Sequence, residues 1–122
     1  MAKVKKASTT IIQPRLRVRV GGNIALGPGK VELLSRIGET GSISEGARLM
    51  GMSYMRAWTL IKTMNAAFKA PVIEAARGGE HGGGAQLTRT GRRALEIYQH
   101  MESASLTAIK DDWRNLRKLL RS

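Results

Sequence analysis

Residues 42–68 read SISEGARLMGMSYMRAWTLIKTMNAAF. Ser42 and Glu45 have the spacing of a capping box, so a helix is expected to begin there, with Ile43, Ala47 and Met50 on one side. Met50-Gly51-Met52-Ser53 then makes a tight turn. Ser53 is placed to cap a further helix, Tyr54–Lys69, whose apolar stripe is Ala57, Ile61, Met64 and Phe68. Pro71 follows, where a helix has usually stopped. Two short helices joined by such a turn are the layout of a helix-turn-helix, in which one helix holds the other in the major groove of DNA.

The flanks extend this unit. Arg15–Val20 alternates basic and apolar residues, which predicts a strand with Leu16, Val18 and Val20 facing inward, broken by Gly21-Gly22. Leu26-Gly27-Pro28-Gly29 is a turn, and Pro28 opens a first helix with Val31, Leu34 and Ile37 in line and Leu33 beside them. Gly38 and Gly41 are expected to end it. Val72–Ala76 and Ala85–Leu87 are strand candidates around a segment with five glycines in residues 78–84. Thr88 or Thr90 can cap a last long helix. Its stripe starts at Leu95 and Tyr98 and continues through Leu106, Ile109, Trp113, Leu116 and Leu120 in alternating steps of three and four, a heptad seam.

A glycine hairpin directly after a helix-turn-helix predicts a winged helix: mainly α with a small β-hairpin, plus a long C-terminal dimerisation helix. The expected organisation is a disordered basic tail over 1–14, the winged helix-turn-helix over 15–88, and the dimerisation helix over 89–122.

Composition points to the same partner. The chain of 122 residues carries 21 Lys and Arg against 9 Asp and Glu, a formal net charge of +12. Residues 1–22 hold six of the basic groups and no acid. A polyanion is the natural partner of that front. With no Cys there are no disulfides, cysteine-ligated zinc or cysteine nucleophiles, in keeping with a cytoplasmic protein. No apolar run is long enough to span a bilayer and no signal peptide is visible, so no membrane association is expected. An enzyme is not expected either. Gly29-Lys30 lacks the remaining Walker A residues, since Ile24 and Val31 stand where Gly and Ser or Thr are needed. His81 and His100 are the two histidines, too few for a metal site without cysteine.

At this point the residues show a resemblance. Leu26-Gly27-Pro28-Gly29-Lys30, Gly41-Ser42-Ile43-Ser44, Gly51-Met52-Ser53-Tyr54 with Ala57-Trp58, Met64-Asn65, Gly82-Gly83-Gly84-Ala85 and Leu87-Thr88 occur in that order. Together they resemble the N-terminal DNA-binding domain of the molybdate-responsive regulator ModE, related to the helix-turn-helix of LysR-type regulators. The resemblance covers about residues 15–105. It implies a winged helix, a homodimer built through the flanking helices, and a two-fold symmetric operator. Full-length members carry molybdate-binding domains after the last helix, whereas this sequence stops at Ser122. A stand-alone regulator is therefore expected, with no cofactor and no molybdate binding by this chain alone.

The third helix offers the reading residues. With Ala57, Ile61, Met64 and Phe68 at the core, Met55, Thr59, Lys62 and Ala66 face away, and Arg56 and Thr63 lie on the flank. Arg56 and Thr59 are the candidates for base edges, with Ser53 and Tyr54 at the entry and Lys62 on a phosphate. Trp58 is expected to be a core anchor. Ser42 and Ser44 start the second helix, whose free amides can meet a phosphate. Arg77 and His81 in the wing are placed near phosphate or the minor groove. The seam Leu106, Ile109, Trp113, Leu116 and Leu120 is expected to pair two copies. Two alternatives stay open: a nucleoid-type DNA binder without sequence preference, and a winged-helix protein-interaction module.

Overall fold

A computed structural model of the chain describes residues 9–76 and 84–121. Its elements are β1 (Val18–Val20), β2 (Asn23–Leu26), α1 (Pro28–Thr40), α2 (Ile43–Leu49), α3 (Tyr54–Ala67), β3 (Ile73–Ala75), β4 (Ala85–Leu87), α4 (Arg89–Ala108) and α5 (Lys110–Arg117). The strands form two antiparallel hairpins, β1–β2 and β3–β4.

α1 is the hub. Pro28 stands at its first position, where a missing N–H is harmless, and Leu33, Leu34 and Ile37 are fully buried. α1 packs against α2, α3, α4, β2 and β4. Gly41 ends it in the left-handed conformation at φ 70°, donating its N–H to the Ile37 carbonyl at 2.8 Å. Gly38 does not end the helix as the sequence suggests. It lies inside α1, where a Cβ would stand 3.0 Å from the Leu87 side chain.

Ser42 caps α2 by accepting from the Glu45 N–H at 3.1 Å. The return half of the expected capping box is absent, because the Glu45 carboxylate pairs with Arg48 at 2.6 Å instead. Gly51 at φ 67° turns the chain into α3, and the Met52 N–H donates to the Ala47 carbonyl at 3.0 Å. α3 buries Ala57, Ile61 and Met64 on one stripe. It stops at Ala67, earlier than the expected Lys69, and Phe68 is a half-buried cap rather than a helical core residue.

The front differs most from expectation. The strand is three residues long and pairs with β2, which periodicity did not reveal. The register shifts between Val18 and Arg19, with Ala25 of β2 as the extra, unpaired residue. All three β1 residues are exposed, Val18 at 38% and Val20 at 51%, because β1 packs on little besides β2, and only Leu16 of the expected trio packs on the core. Leu16 also anchors the segment: its carbonyl accepts from the Tyr98 hydroxyl at 2.6 Å, and Tyr98 is the largest fully buried side chain.

β3 and β4 pair in the register Ile73↔Leu87, Glu74↔Gln86, Ala75↔Ala85, forming the root of the wing. The root is stitched to the α1–α2 junction, where the Ala85 N–H donates to the Gly41 carbonyl at 3.0 Å. Thr88 then caps α4 by accepting from the Gly91 N–H at 2.9 Å. The expected single long helix is in fact two, broken at Ile109 (φ −99°, ψ 9°). Asp111 and Asp112 in the first turn of α5 favour a fresh helix start there. The Trp113 N–H still reaches the Ile109 carbonyl at 2.8 Å, so the break is a one-residue kink. The heptad seam is correspondingly divided: Leu106 lies on α4, Trp113 and Leu116 on α5, and Leu120 beyond it.

Candidate nucleic-acid interface

α3 is held so that one side faces the core and the other faces solvent. The Ser53 hydroxyl accepts from the Arg56 N–H at 3.1 Å, fixing the first turn. Further along, the Asn65 carboxamide oxygen accepts from the Val72 N–H at 2.8 Å and the Ile73 N–H at 3.3 Å. Asn65 thus joins the end of α3 to the wing root. The periodicity that finds core residues carries no signal for such a polar strut.

The outward side carries Met55, Arg56, Thr59, Lys62 and Ala66, all exposed, with Met55 at 73%. Ser53, Tyr54 and Thr63 are also exposed. Neither Arg56 nor Lys62 takes part in the ion pairs found among the described residues. Thr59 and Thr63 donate their hydroxyls to the Met55 and Leu60 carbonyls at 3.0 and 2.8 Å, so each hydroxyl oxygen is left as an acceptor. Thr59 and Lys62 thus lie on the outward side, with Arg56 on the flank toward the first hairpin and Tyr54 on the flank toward the wing root.

Trp58 corrects the sequence expectation. It is 38% exposed rather than a core anchor. Its indole N–H donates to the Tyr54 hydroxyl at 2.7 Å, and the rings meet edge to face at 6.5 Å and 82°. Because the Tyr54 oxygen accepts, its own O–H is left to donate outward. The pair walls a crevice of about 210 Å³ between α3 and Ile73–Ala76 of the wing root. A residue at the edge of a helical stripe can pack or stand clear, and here the wing root leaves the space open.

Ser42 is half-buried and its hydroxyl is committed to the cap, while Ser44 is exposed. Arg77 and His81 lie outside the described residues. The seam residues Leu106, Leu116 and Leu120 are 39%, 52% and 47% exposed, and Ile109 and Trp113 are half-buried.

Sequence reasoning did not assign a site to the cations at the front. Arg17 and Arg19 of the first hairpin, Lys30 of α1 and Arg56 of α3 line one groove of about 450 Å³. The Lys30 ammonium donates to the Ile24 carbonyl, and partial burial lowers its pKa. Glu45 is held below the usual carboxylate range by its hydrogen bond to Arg48, and burial raises the Tyr98 phenol. The charge asymmetry of the sequence marked this front, but the missed β2 strand concealed that it folds beside α3. Among the described residues, no cluster of three or more His, Cys, Asp or Glu could hold a metal ion.

A tight helix-turn-helix followed by a β-hairpin defines the chain as a winged helix-turn-helix protein. The same fold occurs in a CbnR_DBD–DNA complex (TM-score 0.55, 16% identity, 74% of this chain and 95% of that one). It occurs also in a LysR family transcriptional regulator (TM-score 0.52, 14% identity, 68% of this chain and 27% of that one). By sequence, the chain is a homologue of the ModE regulators. It is 42% identical over 96 residues to the transcriptional regulator ModE of Yersinia pestis, covering 76% of this chain and 36% of that protein. It is 39% identical over 88 residues to the DNA-binding transcriptional dual regulator ModE of Escherichia coli, covering 70% and 34%. The molybdenum-pterin-binding protein MopB of Rhodobacter capsulatus is 46% identical over 78 residues, covering 64% and 29%. The chain thus spans about a third of the length of these curated relatives. No protein-family model matches it.

Proposed function

We propose that this chain is a sequence-specific, DNA-binding transcription regulator of the ModE type that reads a palindromic operator as a homodimer. One observation carries the reading. The outward face of α3, with Arg56, Thr59 and Lys62, is exposed and not covered by the described polypeptide. A helix so presented enters a major groove with its N-terminal residues on the bases. Arg56 is suited to a bidentate contact with guanine, the Thr59 methyl to a thymine methyl, and Lys62 and the Tyr54 hydroxyl to phosphates. Arg77 and His81 belong to the wing on this reading, beside the adjoining backbone.

The dimer rests on the exposed apolar residues of α4 and α5. Leu106 and Leu116 have no core of their own to enter, and a second copy covers such a seam in a protein that reads a symmetric site. This is a binding function without catalysis, requiring no cofactor from this chain. Among the described residues, no helix is long and apolar enough to cross a membrane.

Selection of genomic fragments by the purified protein, followed by titration at several salt concentrations, tests the reading. Binding is expected to favour particular fragments and to weaken steeply with salt. Arg56→Ala is expected to cost about 1–3 kcal/mol on the preferred fragment and to relax base choice at one position. Equal affinity for all fragments would remove the claim of sequence preference, and unchanged specificity in Arg56→Ala would remove the assigned orientation of α3.

A further inference from the structure

The first hairpin carries cations that the recognition helix does not use. Arg17 and Arg19 are two apart, and with Lys30 and Arg56 they line a single open groove between β1–β2 and the first turn of α3. Among the described residues no carboxylate lines this groove. Arg15 borders it at one end and also borders a neighbouring hollow that holds Glu32, Glu39 and Glu102. The hairpin is held in place on both sides. Lys30 bonds the β2 end through the Ile24 carbonyl, and the Arg17 stem lies over Gly27, 3.4 Å from where a Cβ would stand.

We infer that the β1–β2 hairpin is a second DNA-contacting arm, with Arg17 and Arg19 gripping the sugar-phosphate backbone beside the bases that α3 reads. The inference rests on the proposed reading of α3 and extends it. The chemistry recognised is phosphate oxygen, and the shape of the groove selects its source. A free oxyanion is held by donors that converge on one point in a partly dry cradle. Here Arg17 and Arg19 are exposed on an open groove, and two residues along extended chain are about 7 Å apart, which suits successive phosphates better than one small ion. Arg56 joins the arm to the reading face, so one duplex engages both.

The test uses the whole chain and the DNA fragment it selects. In the double variant Arg17→Gln with Arg19→Gln, the slope of log affinity against log salt is expected to fall by about 2, at about 0.9 per lost phosphate contact. Base preference should stay that of the parent, because phosphate contacts carry no sequence information. Arg17→Lys with Arg19→Lys should restore most of the slope, since a point charge suffices for a phosphate. Both pairs are exposed, so thermal melting should stay at the parent value. A double Gln variant with parental slope and affinity would overturn the arm while leaving α3 as the reader. If the parent chain binds no duplex, both readings fall together. Inorganic phosphate supplies the remaining arm of the experiment. If millimolar phosphate perturbs the amide resonances of the hairpin and the selected duplex does not, the groove is a free-anion site and the inference is overturned.

Discussion

Gly91→Ala should destabilise the protein, against the direction that helix propensity alone gives. Gly91 is the third residue of α4, and replacing a helical glycine by alanine normally gains about 0.8–1.0 kcal/mol. Here a Cβ would stand 2.0 Å from the Val72 carbonyl oxygen and 2.9 Å from its carbon. Backbone atoms cannot turn aside as a side chain does, and this backbone is tied down. The same Val72 oxygen accepts from the Thr88 N–H at 3.0 Å, Thr88 donates to the Pro71 carbonyl at 2.6 Å, and the Val72 N–H is held by Asn65 at 2.8 Å. Relief requires α4 and residues 71–72 to part by an ångström or more. Overpacking of this kind costs about 1–3 kcal/mol, the higher end being apt where backbone must move. Losing the Thr88–Val72 bond adds about 1 kcal/mol. Set against the propensity gain of about 1 kcal/mol, the net loss is about 2–3 kcal/mol. For a chain of this size that lowers the melting temperature by roughly 10 °C. Circular dichroism melts and urea titrations read it directly. Gly29→Ala is the control, because no atom lies within 4 Å of its Cβ position, and it should be neutral or stabilising. A Gly91→Ala protein that melts at or above the parent temperature would refute the close approach of α4 to the wing root.

Trp58→Ala should cost less than about 2 kcal/mol in urea titration, because the ring is partly exposed; a loss near the 3–5 kcal/mol of a buried aromatic would restore the core-anchor assignment. Stability should fall as pH rises through the alkaline range. Burial, assisted by Glu102, raises the Tyr98 phenol above its ordinary value of 10.0, while Arg17 and Arg15 oppose the shift. The neutral form is thus favoured in the folded state, so its contribution is fully present below the unfolded pKa and is lost as pH climbs through the folded one. Urea midpoints measured across that range check this, and Tyr98→Phe, starting from a lower stability, should lack the Tyr98-dependent part of the decline. Trp113→Glu should give monomers by light scattering; an intact dimer would place the interface elsewhere than the α5 seam.

The helices were largely legible in the sequence. Ser42, Ser53 and Thr88 cap through their own hydroxyls, and Val31, Leu34, Ile37, Ala57, Ile61 and Met64 fall at helical spacing, so short-range chemistry specifies them. The exposed face of α3 followed from the same count. The first hairpin was less legible, although Gly21-Gly22 between two short segments is a hairpin signal in its own right. All three residues of β1 stand exposed on a two-stranded ribbon, so alternation marked an inner side that the tertiary packing does not cover. Trp58 illustrates another limit. Its angle on the helix puts it at the edge of the stripe, one turn from Tyr54, and only the position of the wing root decides that it borders open space instead of the core.

By itself, the order of residues determined the succession of helices, their caps, the winged helix-turn-helix class and the basic front, because each depends on neighbours within a turn or two. The tertiary structure alone decided that Arg17, Arg19 and Lys30 share a groove with Arg56 and that Asn65 braces the wing, while the kink at Ile109 goes with the local Asp111-Asp112 start of α5. The first two join residues distant in the chain through packing around α1, and hydrophobic periodicity carries no information about which polar groups that packing will bring side by side. At Ile109 the seam spacing runs unbroken across the kink, so periodicity could not mark it.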